Sequence, residues 1–100
     1  MTDRELLELA AKAAGYDLLV RDNWNPLTDD GDALRLAVRL EILINPYPAD
    51  SRNRNIGRTI TCSRLSPTAS SFHQDHGADP MVATRRAIVR AAAEIGRAMA

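Results

Sequence analysis

An α+β fold, with a small antiparallel sheet sandwiched by three helices, is predicted by three features of this 100-residue sequence. Apolar residues recur at helical spacing in three stretches, at about 3–14, 29–40 and 80–98. Between the second and third stretch the period shortens to that of strands, which points to a hairpin over 41–63. A two-stranded hairpin is marginal in water by itself, so the helices must cover it or another strand must complete it. The short apolar stretch at 16–20 is the candidate third strand.

The first helix opens on Thr2 and Glu5, which have the spacing of a capping box. Leu6, Leu9, Ala10 and Ala13 share one face, and Gly15 is placed to end the helix in a left-handed cap. Residues 23–26 read as a turn, since Asn and Pro favour bends. The second helix begins at Thr28 or at an Asp just after it, and Asp29, Asp30 and Asp32 suit the positive helix end. Its stripe of Ala33, Leu36, Ala37 and Leu40 is widened by Leu34 and Val38, a broad apolar face suited to packing on a sheet.

Residues 41–44 are rich in Ile and Leu and read as a strand, and 45–55 as a long turn. In 56–63, Ile56, Arg58, Ile60 and Cys62 alternate with Thr59, Thr61 and Ser63. Polar residues 65–77 read as a loop with room for one short strand. The third helix has Asp79 as its N-cap and Pro80 at its first position, where a missing N–H costs nothing. Arg86, Arg90, Glu94 and Arg97 fall on an outer face together with Arg85, opposite Met81, Ile88, Ala91, Ala92, Ile95 and Met99. Gly96 is a small cost inside this helix or its early end.

Length and composition fit a single domain over 1–100. Hydrophobic residues make up 45% and charged residues 26%, but only four side chains are aromatic, so Leu, Ile, Val and Ala must build the core. The formal net charge is zero, which argues against a whole-molecule field that would steer nucleic acid or an anionic membrane. Cys62 is the single cysteine, the opening Met-Thr-Asp-Arg is polar, and no apolar run approaches a membrane span. A cytoplasmic protein is expected.

The string Trp24-Asn25-Pro26-Leu27-Thr28-Asp29-Asp30-Gly31-Asp32, continuing through Ala33-Leu34-Arg35-Leu36-Ala37-Val38, resembles the signature of the phage ABA sandwich domain family. The C-terminal run, with Asp79-Pro80 and the Ala/Arg-rich stretch 83–96, looks like the end of the same family. The likeness spans 24–40 and 79–99. It implies a helix–sheet–helix sandwich and a phage or prophage origin inside a bacterial host. It implies no catalytic residues.

Candidate chemistry is sparse. The Trp24–Asp32 string can be read as a ligand-contacting turn, with Trp24 for stacking and Asn25 for polar contact, or as a structural anchor and helix cap. Its three Asp would repel phosphate, despite the general affinity of helix starts for anions. Arg52, Arg54 and Arg58, with Arg64 nearby, form the best anion-contacting group, though only Tyr47 is interleaved with them for base stacking. His73, Asp75 and His76 resemble metal ligands, but a closed site needs a further one, and no metal or other cofactor is expected. No Gly-x-Ser-x-Gly, phosphate loop or Cys-x-x-Cys is present, so no catalytic residue is nominated. The expectation is a non-catalytic interaction protein whose partner is a host or phage protein or a second copy, paired through exposed strand edges. The alternative is a small-molecule or nucleotide binder directed against a host signalling or defence pathway.

Overall fold

The computed structural model describes residues 2–17, 23–47, 58–63, 71–75 and 79–99. Three helices stand close to where the periodicity puts them: α1 (Asp3–Ala14), α2 (Asp30–Arg39) and α3 (Pro80–Ala98). Between α2 and α3 the backbone forms β1 (Ile42–Tyr47), β2 (Arg58–Ser63) and β3 (Ser71–Asp75), antiparallel in the order β1-β2-β3.

Local signals set the helix ends. The Thr2 hydroxyl accepts from the Glu5 N–H at 3.2 Å, and the Asp79 carboxylate accepts from Met81 and Val82 ahead of the Pro80 turn. Gly15 takes φ 76°, and the Tyr16 N–H closes onto the Ala11 carbonyl at 2.8 Å, so α1 ends in the left-handed cap its sequence announces. The N-cap of α2 is Asp29, whose carboxylate accepts from the Asp32 N–H at 2.7 Å.

The strands pair with Ile42 opposite Ser63, Tyr47 opposite Arg58, and Arg58 opposite Asp75. The third strand is therefore the short strand for which the polar segment 65–77 left room, and not the stretch at 16–20. Tyr16 and Asp17 follow α1 without forming a strand, and 18–20 lie outside the described residues. β3 has no strong apolar alternation of its own; pairing with β2 makes it a strand.

α3 is the element on which the others pack. It meets α1, α2 and all three strands, whereas among the described residues α2 meets the sheet chiefly at β1. This differs from a sheet held in the middle of the sandwich. The reason lies in α3 itself: Ala83, Ala87, Ile88, Val89, Ala91, Ala92, Ala93 and Gly96 are all buried. Small residues on so much of its circumference let neighbours close on more than one side. The core joins Ile88, Val89, Ala91, Ala92 and Ala93 of this set to Leu6, Ala10, Ala11 and Ala14 of α1, to Ala33, Leu36 and Ala37 of α2, and to Trp24, Leu40 and Ile42. Among the described residues, no helix is long and apolar enough to cross a membrane.

Candidate functional site

The Trp24–Asp32 string folds into a dense set of internal contacts. Trp24 is only 9% exposed, and its ring meets Tyr16 edge-on, with centroids 5.4 Å apart and planes at 82°. Such a geometry aligns the positive ring edge with the negative ring face. Arg39 lies over the Tyr16 ring at 5.2 Å and donates from Nε to the Ala14 carbonyl at 2.5 Å, tying the end of α2 to the end of α1. The indole therefore belongs to the core and does not front a cleft.

Asn25 is half-buried and serves the turn. Its side-chain oxygen accepts from the Leu27 N–H at 3.1 Å, its carbonyl accepts from the Asp29 N–H at 2.9 Å, and its own N–H donates to Asp32 Oδ2 at 2.9 Å. Pro26 is fully buried beside it. Asp32 also holds Arg35 at 2.7 Å, with Asp29 3.9 Å from the same guanidinium. The hydrogen bond to Asp32 raises the Arg35 pKa above its ordinary value.

Arg85 departs from its expected solvent-facing role. Its side chain is 15% exposed; Nε donates to the Leu27 carbonyl at 2.9 Å and NH1 pairs with Asp30 at 2.5 Å. It locks the turn and the start of α2 onto α3. Arg86 pairs with Asp3 of α1 at 2.9 Å, and Arg90 donates to Gln74 of β3 at 2.8 Å. Arg85, Arg86 and Arg90 of α3 are thus cross-links between elements. Their spacing resembles a solvated stripe because their partners lie far away in sequence.

The other nominated residues are not brought to this place. Arg52, Arg54, Arg64 and His76 lie outside the described residues, and Arg58 opens β2 between Tyr47 and Asp75. His73 lies opposite Ile60 in the β2–β3 register, and Cys62 lies between Leu43 and Ser71. Among the described residues, no three His, Cys, Asp or Glu side chains cluster as metal ligands.

A different surface comes forward. Leu34, Ala37 and Val38 of α2 line a shallow groove of about 270 Å³ with Glu41, Ile42, Leu43 and Ile44. Leu34, Val38 and Leu43 are exposed by 61, 71 and 46%. β1 is an edge strand in the described sheet, so the groove runs beside a strand with only one neighbour. Glu41, at the bend from α2 into β1, has φ 54°, a left-handed conformation unusual for a side-chain-bearing residue. This surface was legible only as an excess: α2 carries more apolar residues than one buried face can use. The chain matches no protein-family model, no curated protein and no solved structure.

Proposed function

We propose that this chain is a non-catalytic interaction protein of phage or prophage origin, built as an α+β helix–sheet sandwich and acting on a host or phage protein. The origin rests on the resemblance carried by 24–40 and 79–99. One observation supports the interaction reading over ligand binding: the Trp24–Asp32 string is consumed by internal contacts, while large apolar side chains of α2 and β1 face outward. A nucleotide site needs an aromatic face converging with several arginines. Trp24 is buried, and Arg39, Arg85, Arg86 and Arg90 are engaged with other elements.

Affinity capture from phage-infected host lysate tests this reading, with bound proteins and small molecules both analysed by mass spectrometry. The expected result is a protein retained in stoichiometric amount. A nucleotide retained without protein would replace the proposal with the ligand-binding alternative.

A further inference from the structure

We draw no further inference here: the strongest candidate, the shallow apolar groove where Leu34 and Val38 of α2 stand exposed beside Leu43 of the edge strand β1, carries nothing, because nothing in the structure shows what covers it.

Discussion

The α1–α3 seam and the outer face of α2 are both apolar helix surfaces, yet one is closed and the other open. In the seam the side chains are small. Ala10, Ala11 and Ala14 of α1 are buried, as are Ala91, Ala92 and Ala93 of α3, and a Cβ built on Gly96 would lie 1.9 Å from the Leu9 carbonyl oxygen. The helix backbones therefore approach closely at this crossing, and little side-chain volume is needed to fill the seam. On the outer face of α2 the side chains are large and nothing in the described chain covers them: Leu34 and Val38 are among the most exposed apolar residues. Small residues finish an interface within the chain, whereas large ones left outside retain area to bury. Fully burying a Leu or Val side chain contributes about 1.5–3 kcal/mol.

The sharpest way to break this contrast is Gly96→Ala. Alanine ordinarily favours a helix by up to about 1 kcal/mol over glycine. Here the added methyl would meet the backbone of Leu9, which cannot rotate away, and α1 would have to lift off α3. We expect a net loss of about 2–3 kcal/mol, seen as a fall in melting temperature of roughly 10–20 °C. A stabilised variant would show that the two helices do not approach as closely as described.

Arg85→Ala comes next. Arg85 joins the closed side of the molecule to the N-terminal end of α2 through the Leu27 carbonyl and Asp30. Removing it leaves the partly buried Leu27 carbonyl without this donor, at a cost of about 1–2 kcal/mol by chemical denaturation. Arg97→Ala, at an exposed site near the other end of α3, should stay within about 0.5 kcal/mol of wild type. Equal effects at the two positions would return Arg85 to the solvated face its spacing suggests.

What could be read from the sequence follows the range over which each feature acts. Thr2, Gly15, Asp79 and Pro80 mark helix ends because capping is decided within a turn of chain. Asn25 and Asp32 were legible as one structured string because their hydrogen bonds span seven residues or fewer. β3 was not legible as the third strand, since its strand character comes from β2 rather than from Ser71-Phe72-His73-Gln74-Asp75. Arg85 could not be told from a solvated arginine without Asp30, 55 residues away. Gly96 looked like a cap or a defect for the same reason: the carbonyl it must clear belongs to α1. Leu34 and Val38 were visible, but a helical wheel does not say which of two apolar flanks the fold will use.

Glu41→Gly gives the smallest change in stability and the most informative one. Glu41 sits at the junction of α2 and β1, with its N–H donating to the Val38 carbonyl at 3.3 Å and φ at 54°. A side chain in that conformation crowds its own carbonyl by roughly 1–2 kcal/mol, and glycine removes the crowding. Glycine also gives the unfolded chain more freedom, which returns roughly 0.4–1 kcal/mol. The folded monomer should gain about 0.5–1 kcal/mol, a rise of about 2–8 °C in melting temperature. An unchanged or lowered melting temperature would show that the left-handed backbone at Glu41 costs this fold nothing.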